Sequence, residues 1–365
     1  MITSLKIQNY KNLSGLEIDS LSRVNLFSGK NNVGKSSLLE ALALLVDDTY
    51  TSKLFEILQI RGERFSNDEG NAFQKNIDVL SSLFTGHNFS LQPTNVITIK
   101  SNDTVLRIKF VYYIDQKEED GSMRRMVLDE EDFDKLKSEE FKIGLEISRN
   151  SHDGAMLIPI YRSLRYYRRT MFPLFNTPAN VIYIDSNLKG GASSNAKYWD
   201  KITLTEKEQI VINALQIIEP DLENLAYLED GYRDRYPIIK LKGDNARYPL
   251  QSMGDGINHI LSIVLALVNC ENGYVLIDEF DNGLHYSVQT KLWGVIFELS
   301  RRLNIQVFAT THSFDCIRGF KNALAQSKDN DGQYMRLEYK NNKIQVVDYT
   351  LEELNIISSQ NIEVR

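Results

Sequence analysis

"GKNNVGKSS", Gly29 to Ser37, decides the fold of this chain. It satisfies G-x-x-x-x-G-K-[ST], a pattern in which glycines let backbone N–H groups approach phosphate oxygens at a helix N-terminus. The flanks supply the context that the pattern requires. "VNLFSG" before it reads as a buried strand, and "SSLLEALALLVDD" after it has the apolar spacing of a helix. Gly29, Asn31, Asn32, Gly34, Lys35, Ser36 and Ser37 are therefore expected to hold the phosphates of a nucleotide. In this arrangement Lys35 reaches the β- and γ-phosphates, and the Ser36 hydroxyl is a ligand for Mg²⁺.

Two further strands end in chemistry. "YVLIDEF", from Tyr274, delivers Asp278 to a strand C-terminus, where open α/β sheets bind ligands. Asp278 is expected to hold Mg²⁺ through water, and Glu279 to accept the proton of an attacking water. "IQVFATTHS", from Ile305, ends in His312, whose imidazole can hydrogen-bond the γ-phosphate or that water.

"SMGDGINHILSI", Ser252 to Ile263, is a second glycine turn opening a helix. One γ-phosphate cannot be cradled twice within one chain, yet this turn also offers free N–H donors and a positive dipole end to an anion. The economical solution is that Ser252, Gly254 and Gly256 face a nucleotide held by a second copy. ATP would then sit at both sites of a symmetric dimer.

The elements around these motifs define an α/β chain, a P-loop domain built from both ends of the sequence. "SLKIQNYKNL" is a first strand by its alternation, a helix starts near Ile257, and "YSVQTKLWGVIFELSRRL" is another helix. "YMRLEYKNNKIQVVDYT" predicts a final hairpin turning near its two asparagines. On this reading the ATPase domain comprises 1–49 and 248–365. Residues 50–247 form a long α+β insertion that partly completes it and partly offers a partner-interaction region. Within the insertion, "NVITIKSN", "VLRIKFVYYI" and "FKIGLEISR" read as strands, and "NLKGGASSNAK" as a loop. "TEKEQIVINALQIIEPD" reads as a helix opened by a Thr205–Glu208 capping box.

A net charge of -7 works against broad adhesion to nucleic acid. Cys270 and Cys316 lie in apolar segments without metal-ligand spacing and are expected as buried free thiols. The N-terminus lacks the apolar core of a signal peptide. "ILSIVLALVNC", the longest uncharged apolar run, is about half of the roughly 20 residues that a membrane span needs. A cytoplasmic protein without a membrane partner is the expectation.

Taken together, "GKNNVGKS", "SMGDGINHIL", "LIDEFDNGLH" and "FATTHS" resemble the ATP-binding-cassette type of ATPase head. The nearest resemblance is to the overcoming-lysogenization-defect (OLD-like) and related AAA-type prokaryotic ATPases, in which an acidic-Asn-Gly-Leu-His run follows Walker B. The resemblance implies a P-loop NTPase fold and Mg²⁺-dependent ATP hydrolysis. It also implies a signature of Ser252, Gly254 and Gly256 acting in trans, and a dimer-contacting D-loop starting at Asp281. "SMGDG" differs from the Leu-Ser-Gly-Gly-Gln of transporters, and Gln74 and Gln92 are the candidates for a Q-loop glutamine. No coiled-coil arms are visible. The tail after His312, about 50 residues, is shorter than the Toprim nuclease domain fused to full-length relatives. The analogy implies a separately encoded effector, such as a nuclease, in phage defence or DNA maintenance.

"YRSLRYYRRTMF" is the one candidate nucleic-acid surface, through Arg162, Arg165, Arg168 and Arg169. It reads first as an amphipathic segment that packs its tyrosines, with partner-protein and nucleic-acid contact as the other readings. For the whole chain, the alternative to an ATP hydrolase is a non-hydrolysing ATP-bound scaffold or switch. The long insertion disfavours a transporter ATPase, and the lack of an Asn-Lys-x-Asp motif disfavours a GTPase.

Overall fold

A computed structural model describes residues 1–63, 65, 72–118, 121, 123–128, 141–150, 154–160, 181–185, 191–229, 235–327 and 331–360. The first part of the chain runs β1 (Leu5–Tyr10), β2 (Leu13–Ile18), β3 (Val24–Ser28), α1 (Lys35–Val46), α2 (Tyr50–Ile60) and α3 (Ala72–Ser81). Strands β4 (Val96–Ser101), β5 (Thr104–Lys117), β6 (Met123–Val127), β7 (Lys142–Arg149), β8 (Met156–Pro159) and β9 (Val181–Ile184) follow. Next come α4 (Gly191–Ile202), α5 (Glu206–Leu215), β10 (Leu222–Glu229), β11 (Arg235–Leu241) and β12 (Arg247–Pro249). The last stretch is α6 (Asp255–Asn269), β13 (Tyr274–Ile277), α7 (Tyr286–Arg302), β14 (Gln306–Thr310), α8 (Phe314–Gln326), β15 (Gly332–Lys340), β16 (Lys343–Tyr349) and α9 (Leu351–Gln360).

Three sheets organise these elements. The central one has the order β16-β15-β3-β14-β13-β9 and is parallel except for the β15–β16 hairpin. Every residue of β3 and β14 is buried, as expected of inner strands covered on both faces. Successive side chains point to opposite faces, so the two faces feed different cores. Val24, Leu26, Val275, Ile277, Val307 and Ala309 join the core under α6, α7 and α8. Phe27, Leu276 and Phe308 instead join α1 and the antiparallel sheet. That second sheet runs β2-β1-β4-β5-β7-β8, with β6 on β5. Helix α1 is enclosed between the two sheets and buries every residue except Ser36.

Described strands from within 50–247 join both sheets. β4 pairs with β1, setting Ile99 opposite Ile7, and β9 extends the central sheet by parallel pairing with β13, setting Tyr183 opposite Leu276. The third sheet, β10-β11-β12, leads into the 3₁₀ turn Leu250–Met253 that precedes α6.

Most local expectations match the elements found. β1 alternates, with Leu5 and Ile7 buried and Lys6 and Gln8 exposed. At the capping box the Thr205 hydroxyl accepts from Lys207 N at 3.3 Å, while Glu208 reaches back to Leu204 N at 2.8 Å. The final hairpin turns on Asn341 and Asn342, both left-handed at φ 52° and 60°, where asparagine is tolerated best after glycine. Cys270 and Cys316 are buried thiols outside any disulfide, and burial pushes the Cys270 thiol up to about 11.

One expectation is corrected. From Gly191 onward "NLKGGASSNAK" is helix α4, not loop. Ala196, Trp199 and Ile202 recur at helical spacing and are buried, and Asn195 Nδ2 donates to Ser262 Oγ on α6 at 2.8 Å. Docking on α6 outweighs the weak helix propensity of Gly and Ser. Residues 187–190 and the run 161–172, with its four arginines, lie outside the described residues.

Candidate nucleotide site

The loop between β3 and α1 needs its glycines for shape. Gly29 has φ 143°, and a Cβ there would stand 2.4 Å from the Leu337 carbonyl oxygen on β15. Gly34 caps α1 in the left-handed region at φ 88°, with Leu13 and Asn12 within 3 Å of where a Cβ would sit. Asn32 is also left-handed, and its carbonyl accepts from Asn12 Nδ2 at 3.1 Å. Asn31 and Asn32 are exposed. Lys35, Ser36 and Ser37 form the first turn of α1, where backbone N–H groups have no intrahelical acceptor and point out of the helix end. The Lys35 ammonium folds across the loop and donates to the Gly29 carbonyl at 2.8 Å and the Lys30 carbonyl at 2.9 Å. Burial pulls its pKa down to about 8, against the opposing pull of Asp278, Glu279 and Asp281.

β13 and β14 end beside this loop, and threonine hydroxyls knit the ends together. Thr310 Oγ1 donates to Asp278 Oδ1 and also accepts from the backbone N–H of Glu279 at 2.9 Å. The Thr311 hydroxyl donates to Asp281 and accepts from Ser313 N at 3.0 Å. Glu279 itself has φ 53°, a sparsely populated conformation for a side-chain-bearing residue, which is the kind of backbone that functional sites retain. Burial first, then Asp278 and Asp281, raise its pKa, while Lys35 opposes the rise. His312 is half-buried. Burial and the positive charge of Lys35 lower its pKa, favouring the neutral ring.

Lys35, Asp278, Glu279 and His312 thus share one electrostatic neighbourhood, together with Asp281. Neither Thr310 nor Thr311 was singled out in the sequence. The available signal was two hydroxyls in a row at the end of an otherwise apolar strand. Ser36 and Asp278 offer Mg²⁺ a hydroxyl and a carboxylate, hard oxygen donors that suit an ion bound by few protein ligands, phosphate oxygens and water. Among the described residues no group of three or more His, Cys, Asp or Glu could hold a metal without such help.

The second glycine turn is built differently. Ser252 and Gly254 are exposed, and Ser252 Oγ donates to the Pro249 carbonyl at 2.7 Å. Gly254, at φ 94° and ψ 168°, occupies a region essentially restricted to glycine. Helix α6 starts at Asp255, two residues before the expected start, so Asp255 and Gly256 form its first turn. Asp255 is exposed there and its charge complements the helix dipole. Gly256 meets its own chain: a Cβ would lie 2.6 Å from the Gly283 carbonyl oxygen. His285, last of the "DNGLH" run, caps α7 by accepting from Ser287 N. Of the Q-loop candidates, Gln74 donates to Asp78 one turn along α3, and Gln92 lies in an exposed turn.

Among the described residues no helix is long and apolar enough to cross a membrane. A 26% identical relative, an "ATP/GTP phosphatase" of Helicobacter pylori, aligns over 345 residues, 87% of this chain and 86% of that protein. A Methanocaldococcus jannaschii protein, MJECL10, is 37% identical over 81 residues, 21% of this chain and 37% of its own length. Among solved structures, an SMC head bound to the C-winged helix domain of ScpA superposes with a TM-score of 0.50 at 11% identity, covering 99% of both chains. At that identity the likeness concerns the fold alone, a P-loop NTPase of the ABC type. The family model described as "AAA domain, putative AbiEii toxin, Type IV TA system" matches residues 24–315, a span running from β3 through the Asp278–Glu279 end of β13 to His312. The chain belongs to this AAA-domain family.

Proposed function

We propose that this chain is an ATP hydrolase whose active form is a dimer closed around nucleotide. The observation that carries the reading is the convergence of Lys35, Asp278, Glu279 and His312 on the phosphate loop, with Thr310 bridging Asp278 and Glu279. The N–H groups of the loop and Lys35 bind the β- and γ-phosphates and hold them in line with an attacking water. Glu279, with its pKa raised, takes the proton of that water. His312, neutral, orients the γ-phosphate or the water by hydrogen bonding. Ser36 and Asp278 would hold Mg²⁺, which when bound supplies positive charge to the phosphate oxygens. The exposed Ser252 and Gly254, with the N-terminus of α6, complete the site of a second copy.

The name of the Helicobacter pylori relative supports a nucleoside triphosphate substrate and leaves room for GTP beside ATP. An ATP-versus-GTP competition assay decides the base. We place the chain with the OLD-like ATPases in function, acting in the cytoplasm with a separately encoded effector such as a nuclease in phage defence or DNA maintenance. Purification of the native protein with a second polypeptide is the expected result, and recovery of homodimers alone counts against the effector.

The decisive experiment measures the mass of Glu279→Gln with and without ATP and Mg²⁺, alongside phosphate release. The expected outcome is abolished turnover and an ATP-dependent dimer. Tight ATP binding by a species that keeps the mass of one chain overturns the dimer. Undiminished turnover overturns Glu279 as base.

A further inference from the structure

We propose that His259 is a positioning residue that ties the turn offered to a second copy to the general base of its own chain. The inference rests on the preceding reading of Glu279 and of the turn at 252–256. His259 lies one turn into α6 and is 1% exposed. Its Nε2 is 3.0 Å from the carbonyl oxygen of Phe280. A carbonyl can only accept, so Nε2 carries the proton and Nδ1 is the bare nitrogen. Phe280 stands between Glu279 and Asp281, so the histidine grips the backbone at the residue adjoining the base.

Packing alone does not explain a histidine here. Its neighbours along α6, Ile257, Ile260 and Leu261, are buried hydrophobics. Nδ1 is buried and finds no hydrogen-bond partner among the described residues. An aliphatic side chain would avoid that orphaned acceptor, so the one bond made by Nε2 is what distinguishes histidine at this position.

A second contact acts on the same segment. Gly256, three residues earlier on α6, lies so close to the Gly283 carbonyl that no Cβ fits between them. The first turn of α6 thus holds the 280–283 backbone at both ends, by a hydrogen bond and by a close backbone contact. Close-packed groups transmit displacement, so drawing the turn toward a neighbouring phosphate moves Phe280 and, through one peptide, Glu279. Occupancy of one copy's nucleotide site thereby sets the base of the other copy.

Dimers of two differently tagged chains, purified through both tags, test this. In every pair one chain carries Glu279→Gln, so only one site has a base. Placing His259→Leu in the chain that keeps Glu279 is expected to lower turnover on the order of tenfold or more, with ATP affinity unchanged. Placing it in the Glu279→Gln chain is expected to leave turnover at the level of the pair with unaltered His259. His259→Gln, whose amide can present an N–H toward the same carbonyl, should restore most of the rate. Loss only when the mutation sits in the Glu279→Gln chain overturns the proposal, because His259 would then merely shape the turn. No loss in either pair, or equal loss in both with a lowered melting temperature and no rescue by glutamine, overturns it too. Failure of the underlying dimer reading has a separate signature: wild-type turnover per chain that stays constant on dilution to a single-chain mass.

Discussion

Thr310 Oγ1 donates a 2.5 Å hydrogen bond to Asp278 Oδ1, and the same oxygen accepts the backbone N–H of Glu279. One hydroxyl on β14 therefore orients the Asp278 carboxylate and pins the backbone of the candidate base on the neighbouring strand. Glu279 is held in its left-handed conformation in part by this bond.

Removing the hydroxyl should separate chemistry from binding. Thr310→Val is nearly isosteric but leaves a buried carboxylate oxygen and an N–H without this partner, at a cost of about 1–3 kcal/mol in stability. Turnover should fall more than tenfold, by about the loss that misplacement of catalytic groups produces, while ATP affinity changes little. Thr310→Ser should retain most activity. Steady-state kinetics and denaturant titration of both variants check this.

Gly256→Ala tests the close approach to Gly283. The added methyl would lie 2.6 Å from a carbonyl oxygen, and backbone must shift to admit it. A destabilisation of about 1–3 kcal/mol is expected from overpacking, with a fall in turnover. Gly294, where a Cβ meets nothing within 4 Å, is the control, and Gly294→Ala in the middle of α7 should stabilise slightly. Urea unfolding of the two variants provides the comparison.

A buried ion cluster beneath the nucleotide loop carries a third prediction. Glu40 on α1 pairs with Lys11 at 2.8 Å and Arg61 at 2.5 Å, and its side chain is only 7% exposed beside a Lys11 side chain at 9%. Tyr10 donates to the same carboxylate at 3.3 Å. Glu40→Gln leaves the Lys11 charge buried without its counter-ion and should destabilise by about 3–5 kcal/mol. Adding Lys11→Met should recover part of that loss. Thermal unfolding of the single and double variants measures it.

The buried histidine predicts an acid limb of stability. Burial lowers the pKa of His259 below its ordinary 6.5, with Asp281 opposing, so the unfolded chain takes up a proton before the folded one does. The unfolded state binds more protons in the window just below 6.5, and stability therefore rises with pH there and falls as pH drops. The difference in unfolding free energy between pH 7.5 and pH 5.5 should be smaller in His259→Gln than in wild type, as read by chemical denaturation at both pH values.

Where the chemistry is local, the sequence carried it. The strand, glycine loop and lysine of 24–37 act through backbone conformation set within a few residues, so the motif implied the loop geometry. Asp278 and His312 could be placed because four- and five-residue apolar runs announce buried strands that end beside them. Two asparagines at 341–342 foretold their hairpin for the same local reason.

Other features depended on contacts between distant segments. Nothing in "LLEALALL" shows that Glu40 will be buried, because its partners Lys11 and Arg61 come from β1's hairpin and the end of α2. The Gly- and Ser-rich start of α4 becomes helical through docking of Ala196, Trp199 and Ile202. The hydroxyl of Thr310 gains its role through the pairing of β14 with β13, and Gly256 and His259 gain theirs from where the 280–283 segment passes α6. By itself, then, the amino-acid order determined the phosphate loop, the strand ends and the class of fold, since backbone propensity and apolar periodicity act over a few residues. Only the tertiary structure decided which hydroxyl orients the carboxylates, how the buried charges are matched and what the second glycine turn touches. Those depend on packing and on pairing between segments 21 to 32 residues apart in the chain, which no local pattern encodes.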